Sequence, residues 1–436
     1  MDELLLHYIW QHRRYDGERL FTEDGHRLEI LHSGTYNRDA GPDFLNARIR
    51  LHGMQWVGNV EIHINSSDWN RHRHTDDPAY INCILHVVWH HDAEVSGSDG
   101  RLIPTLELKH LIPDLLVERY RHMMQRSATI ACRDSFHEVP KKVLYAWAER
   151  MMVGWLESRT SMMRSFLEYS RGHWEEAFYH ALARAFGFHV NGDPFERLSR
   201  AVPIGILLRN RDKPFTISSL YFGMAGFLDG RFYAEEDNSF RSEFLYLSKK
   251  WHLKRPDFPG WKFMRMRPSN FPTKRLSQFL DLNHRYAPLL SSCLAADDLT
   301  GLLGIFQTKS LSVPAPFGAK VAVSDVMGVV SIRVIIVNTV IPFLFLKGAV
   351  EGDQVLCEKV LEWMQELSPE DNVIIRAWKD LGWTPSNAAE SQGMLHLFNS
   401  YCTFKKCLNC EIGNRVLCQD PKHFTQGDSL MHSARH

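Results

Sequence analysis

The reading turns on residues 41–64, Gly41-Pro42-Asp43-Phe44-Leu45-Asn46-Ala47-Arg48-Ile49-Arg50-Leu51-His52-Gly53-Met54-Gln55-Trp56-Val57-Gly58-Asn59-Val60-Glu61-Ile62-His63-Ile64. Leu45, Ala47, Ile49 and Leu51 alternate with Asn46, Arg48 and Arg50, the period of a strand with one buried face. Trp56, Val60, Ile62 and Ile64 repeat that period, and His52-Gly53 between the runs is a two-residue turn. An antiparallel hairpin follows. With Leu51 facing Met54, regular pairing places Asp43 opposite Ile62, so the Asp43 side chain points away from Glu61 and His63. Convergence needs a one-residue slip, and Gly58 is the natural place for a bulge.

Outward from the hairpin, Leu5, Leu6, Ile9 and Trp10 mark an opening helix over 3–12, and Asp24-Gly25 marks a turn between apolar runs. Ser66-Ser67-Asp68 offers an N-cap to a helical segment at 69–74. Ile81–Trp89 is nearly all apolar apart from Asn82 and His86, the pattern of a central strand covered on both faces, and Ile103–Leu108 adds another strand. From Leu111 the period becomes helical. Helices are expected at 115–120, 141–169, 174–186, 193–208, 217–228, 243–251, 276–290, 326–346, 353–367, 372–380 and 388–401. The fold class is therefore a mixed α/β domain at 1–130, a larger all-α domain at 131–400, and a cysteine-containing segment and tail at 401–436.

The composition is that of a globular chain, with 51 basic residues against 51 acidic ones among 436, so no global field draws it to nucleic acid or membrane. The N-terminus carries acid where a signal peptide needs base. The apolar run Val329–Leu346 reads as a core element, and a cytoplasmic protein with no membrane partner is expected. Its oligomeric state is not legible.

Asp43 and Glu61 are carboxylates suited to Mg²⁺ or Mn²⁺, and His63 shares a strand face with Glu61. His63 is placed to orient the attacking water. His72 and His86 are further candidate ligands within a stretch that also holds Asp39, Asp68, His74 and Asp76. At Pro42-Asp43 and Glu61-Ile62-His63 the sequence resembles the PD-(D/E)XK nuclease superfamily, with His63 where that family has Lys. The order of the surrounding elements fits the same core. The resemblance implies a metal-dependent phosphodiesterase, a nuclease acting on DNA or RNA. Two alternatives stand beside it: a non-catalytic nuclease-like scaffold that binds nucleic acid, and a hydrolase in which His63, His72, His74 and His86 converge on a transition metal. On a larger scale Asn37–Phe44, Gly58–His63, Ser67–Trp69, Leu85–Trp89 and Tyr401–Gly413 are similar to an uncharacterised bacterial domain-of-unknown-function family, DUF2851, a resemblance that implies no activity.

Two further constellations complete the expectations. Cys402-X4-Cys407-X2-Cys410-X7-Cys418 has metal-thiolate spacing and reads as a zinc site or an iron–sulfur cluster, with Cys132 the alternative fourth ligand. Lys262, Arg265, Arg267, Lys274 and Arg275, interleaved with Trp261, Phe263 and Phe271, form a candidate phosphate-contacting passage.

Overall fold

A computed structural model describes residues 1–229, 235–257, 260–263, 270–309, 311 and 326–418. The chain divides into two units: Met1–Leu144 with the segment from Phe398 onward, and Tyr145–Leu397. The C-terminal cysteine segment is thus part of the N-terminal unit, not a body of its own.

The N-terminal unit is built on a six-stranded mixed sheet. Helix α1 (Glu3–Gln11) comes first, capped by the Asp2 carboxylate accepting the Leu4 N–H. Strands β1 (Leu28–His32), β2 (Thr35–Tyr36), β3 (Phe44–Leu51) and β4 (Met54–Asn65) follow, then a single turn of helix, α2 (Asp68–Arg71), and strands β5 (Cys83–His90) and β6 (Thr105–Glu107). The order is β1-β3-β4-β5-β6, with β2 also on β3. Pairing is antiparallel up to β4 and parallel from β4 to β5 and β6. Helix α3 (Asp114–Gln125) closes the run.

The β3–β4 hairpin turns at His52-Gly53, both at positive φ (53° and 75°), the conformation of a type I′ turn. Pairing runs in register from Leu51↔Met54 to Ala47↔Gly58 and then slips, because Phe44 meets Val60. The extra residue lies on β3, where Asn46 takes a φ of 57°. The slip is real but its place differs from the sequence expectation: the bulge is at Leu45-Asn46, not Gly58. Gly58 serves another purpose. A Cβ there would meet Ile84 Cγ2 at 2.4 Å and the Asn82 carbonyl oxygen at 2.6 Å, so its bare backbone admits the start of β5. The bulge also exchanges Leu45 for Phe44 on the core face, and Phe44 is fully buried.

The Ser67 hydroxyl does not cap α2. It donates to Asp92, and Asp68 instead accepts the Asn65 N–H.

The second unit is helical, including α4 (Lys141–Tyr169, which begins in the first unit), α5 (Trp174–Phe186) and α6 (Phe188–Ala201). The stretch expected as one helix over 193–208 is two, because Pro203 removes an N–H donor and a new helix starts at Ile204. Val329–Glu351 is long and apolar enough to cross a membrane, yet 61% of its apolar window is buried, and Ile335, Ile336, Phe343 and Leu344 sit in the helical core. Its middle widens to a π-turn at Ile336–Val340, where Pro342 cannot donate to the carbonyl four residues earlier.

Candidate metal centre

Strand β4 sets the site. Glu61 and His63 are two apart and share a face, and both are buried (5% and 1% exposed) inside a sheet otherwise lined by Val60, Ile62, Val87 and Val88. The β5 partner of Glu61 is His86, fully buried, and across β3 the bulge brings Asp43 level with Glu61. The carboxylates then reach across the hairpin: Asp43 Oδ2 accepts the Ile62 N–H at 2.9 Å, and Glu61 Oε2 accepts the Asp43 N–H at 3.1 Å.

His72 and His74 come from the turn after α2. Residues two apart on a helix point in nearly opposite directions, yet these two rings converge. Arg73 between them is at φ 60°, a left-handed kink that turns His74 back beside His72. Tyr80 stacks on His74 at 3.9 Å between ring centroids, and Trp69 meets it edge-on, so the ring is held from both sides.

Ligating atoms of His63, His72 and His74 lie within 4.8 Å of one another. His63 Nε2 is 3.2 Å from His72 Nδ1 and 3.5 Å from Glu61 Oε1, and His74 Nε2 is 3.3 Å from the same Glu61 oxygen. Four donors around a tetrahedral ion at ~2.0–2.1 Å stand roughly 3.3 Å apart. His74 Nε2 is buried and, despite its approach to Glu61, has no hydrogen-bond partner. Three imidazoles and a carboxylate brought together with one hydrogen bond among the three rings, His63 to His72, and with His74 Nε2 left over, is an expensive arrangement for a core, and it fits a bound cation. For His63 Nε2 to offer its lone pair, Nδ1 must carry the proton and donate to His86 Nε2 at 2.9 Å, an outer contact that fixes a ligand's tautomer and ring plane.

Electrostatics follow from burial. Desolvation, and then the neighbouring histidines, hold His63 down to about 3, and His86 lies well below its ordinary range for the same reasons. Burial raises the Glu61 carboxyl, with His74 pulling the other way. The three imidazoles contribute neutral donors, so the ion's charge would be met chiefly by Glu61.

Helix α1 adds two residues that the sequence reading passed over. His7 Nε2 lies 3.3 Å from Asp43 Oδ2. Burial disfavours its charge, but the neighbouring Asp43 carboxylate, with Glu3 and Glu61, outweighs this and leaves its pKa raised. Glu3, one turn earlier, is also raised, by burial first. Their spacing of four on the polar side of an otherwise apolar helix was the available signal.

The other candidates are dispersed. Arg275 is buried, and its guanidinium donates to Gln278, Asn270 and Ser331, so it is occupied inside the helical unit instead of facing phosphate. Lys262 is exposed, with its main chain bonded to Asn191, and Lys274 is half-buried. Arg265 and Arg267 lie outside the described residues. Exposed Arg71 and Arg73 flank His72 instead, and the Arg71 charge is felt at His63. Cys418 stands apart from the other terminal cysteines, its Sγ 3.3 Å from the Tyr8 hydroxyl.

Residues 3–373 match the model of a family described as "Protein of unknown function (DUF2851)", and the chain belongs to that family. The match ends before the terminal cysteines. No curated protein and no solved structure matches the chain.

Proposed function

We propose that this DUF2851 member is a metal-dependent hydrolase of phosphodiesters, with His63, His72, His74 and Glu61 holding one transition-metal ion. The observation that carries this reading is the convergence of His63, His72 and His74 within 4.8 Å of one another, with Glu61 3.5 Å from His63 and 3.3 Å from His74 and with His74 Nε2 unpartnered. Imidazole-rich donors favour Zn²⁺ and neighbouring transition metals over Mg²⁺, which prefers oxygen, and Mn²⁺ stands between the two. Such an ion supplies Lewis acidity and makes water a nucleophile near neutral pH.

The chain's own residues supply the rest. His86 holds the His63 ring in the ligating tautomer. Asp43 and His7 form an acid–base pair beside Glu61, suited to taking up and returning a proton. His72 is exposed, so the set opens to solvent on the side where exposed Arg73, and Arg71 paired with Asp68, stand beside an incoming anionic substrate. The choice of phosphodiesters draws on these cations and on the helix, three-strand meander, crossover and parallel strand that carry Asp43 and Glu61, an order resembling PD-(D/E)XK nucleases. The test is hydrolysis of bis(p-nitrophenyl) phosphate, single- and double-stranded DNA and RNA by stripped protein reloaded with Mn²⁺, Zn²⁺ or Mg²⁺. Turnover with Mn²⁺ or Zn²⁺ that disappears in His74→Ala supports the reading. Full turnover with Mg²⁺ in His72→Ala and His74→Ala would remove the imidazoles from it.

A second reading has one observation of its own. The reciprocal bonds of Asp43 and Glu61 to each other's strand lock the hairpin, which is the work of a scaffold. Metal bound tightly with no hydrolysis of any of these substrates would favour a nuclease-like binding protein.

A further inference from the structure

The terminal cysteines come together in a way their spacing alone left open. Cys132, at the end of the loop after α3, lines one small cavity with Cys402, Cys407 and Cys410, together with Ala131 and Gly413. Cys407 and Cys410 flank a single 3₁₀ turn, Cys407–Asn409, and Cys410 N–H donates to the Cys407 carbonyl at 3.2 Å, the tight turn that lets an X2 pair face one point. The following helix, Glu411–Cys418, presses on that turn so closely that a Cβ on Gly413 would stand 2.2 Å from the Cys407 carbonyl oxygen. Cys132, Cys407 and Cys410 are buried, and all four are unbridged thiols.

We infer that Cys132, Cys402, Cys407 and Cys410 are the four ligands of a structural metal-thiolate centre, and that this centre fastens the C-terminal return of the chain to the N-terminal unit. Four cysteines lining one small cavity, three of them buried, can offer four thiolates to a single cation. The apolar setting and the neighbouring sulfurs push the Cys407 thiol up to about 12 and those of Cys132 and Cys402 higher, a state that a coordinated cation would invert. The same segment also packs on the first unit: Ile412, Val416 and Leu417 are buried, Lys405 Nζ donates to the Met124 and Arg126 carbonyls, and Arg119 donates to the Val416 carbonyl. One thiolate from residue 132 and three from 402–410 close a loop of some 270 residues, where a cross-link restricts the unfolded chain most. Zinc and an iron–sulfur cluster share this ligand chemistry, and the measurement separates them.

The test uses the full chain purified without oxygen in a His74→Ala background, so that metal at the histidine set does not enter the count. Elemental analysis should find about one zinc per chain, or several irons with matching acid-labile sulfide and a broad visible absorption. Cys132→Ser should lose that metal and Cys418→Ser should keep it. Because Cys132→Ser can also impair folding, native protein is titrated with a mercurial in parallel: metal should leave in step with thiol capture, and a protease should then cut near residues 398–406. A chain that holds neither zinc nor iron after anaerobic purification and reconstitution overturns the inference, as does retention by Cys132→Ser with loss in Cys418→Ser. None of these outcomes bears on hydrolysis.

Discussion

Two regions bury histidine in different ways. In the helical unit His180 is 2% exposed, and its Nδ1 lies 2.9 Å from Ser199 Oγ. That hydroxyl already donates to the Glu196 carbonyl, so its oxygen accepts the His180 Nδ1–H and the pair is satisfied. In the sheet unit His63, His72, His74 and His86 face one another and Glu61, while His74 Nε2 and His86 Nδ1 are buried without partners. The helical unit keeps its buried polar groups apart: Arg275 donates to Gln278, Asn270 and Ser331 while its Nε has no partner. The sheet unit gathers its intruders at one point and leaves lone pairs over. Pairing such as that of His180 fits a structural histidine, and convergence of several rings with nitrogens left over is what supports the proposed metal site.

The comparison can be broken most forcefully at the ligands. His74→Ala and Glu61→Gln should each weaken Mn²⁺ or Zn²⁺ binding by ~100-fold or more, beyond the 10–100-fold typical of outer partners such as His86. Isothermal titration on stripped protein reads this directly, and unchanged affinity in both would make the cluster a core feature like His180. The same metal at a hundred times its Kd should raise unfolding stability of the wild type by about 2.7 kcal/mol and that of His74→Ala through this site by no more than about 0.4 kcal/mol.

Gly58→Ala should cost ~2 kcal/mol or more in urea unfolding, because the new methyl meets the Asn82 carbonyl, and backbone cannot swing away as a side chain can. Were Gly58 the bulge instead, the loss would fall on register and not on the approach of β5.

Acid should distinguish the satisfied histidine. Its pKa is held down to about 4 by burial, below the ~6.5 of the unfolded chain, so the unfolded state binds the extra proton between those values. The stability contributed is complete above pH ~6.5 and is lost as pH falls toward about 4, at up to ~1.4 kcal/mol per unit. His180→Gln, which keeps a donor for Ser199, should flatten that part of the curve in pH-dependent melting. An unaltered slope would place the titration elsewhere.

The smallest effect tests the bulge. Asn46→Gly should be nearly neutral, whereas Asn46→Val at φ 57° should cost ~1–2 kcal/mol. If Asn46→Val also reduces metal affinity, the bulge is what aligns the carboxylates.

Much of this was legible locally. Alternation in 44–51 and 54–65, the His52-Gly53 turn, the apolar run at β5 and the helical periods beyond residue 111 all follow from side-chain direction and turn chemistry, which neighbouring residues set. Even the need for a slip in the hairpin could be deduced, since Asp43 and Glu61 otherwise diverge. Its position could not, because both Gly58 and Asn46 tolerate unusual backbone, and only the crowding of β5 against Gly58 assigns them different tasks. His7 and Glu3 escaped notice because nothing within α1 says which strand it will cover. On spacing Cys418 completes the set and Cys132 is its alternative, whereas the return of the chain at Phe398 puts Cys132, and not Cys418, beside Cys402, Cys407 and Cys410.

The sequence by itself determined the elements, the hairpin and the kinds of donor available. Tertiary structure decided that His63, His72, His74 and Glu61 meet, that Arg275 is buried, and that Cys132 joins the terminal cysteines. The physical reason is range. Propensity and periodicity act over a few residues, whereas a metal-sized point is defined by groups from separate segments, whose meeting depends on packing that no single segment encodes.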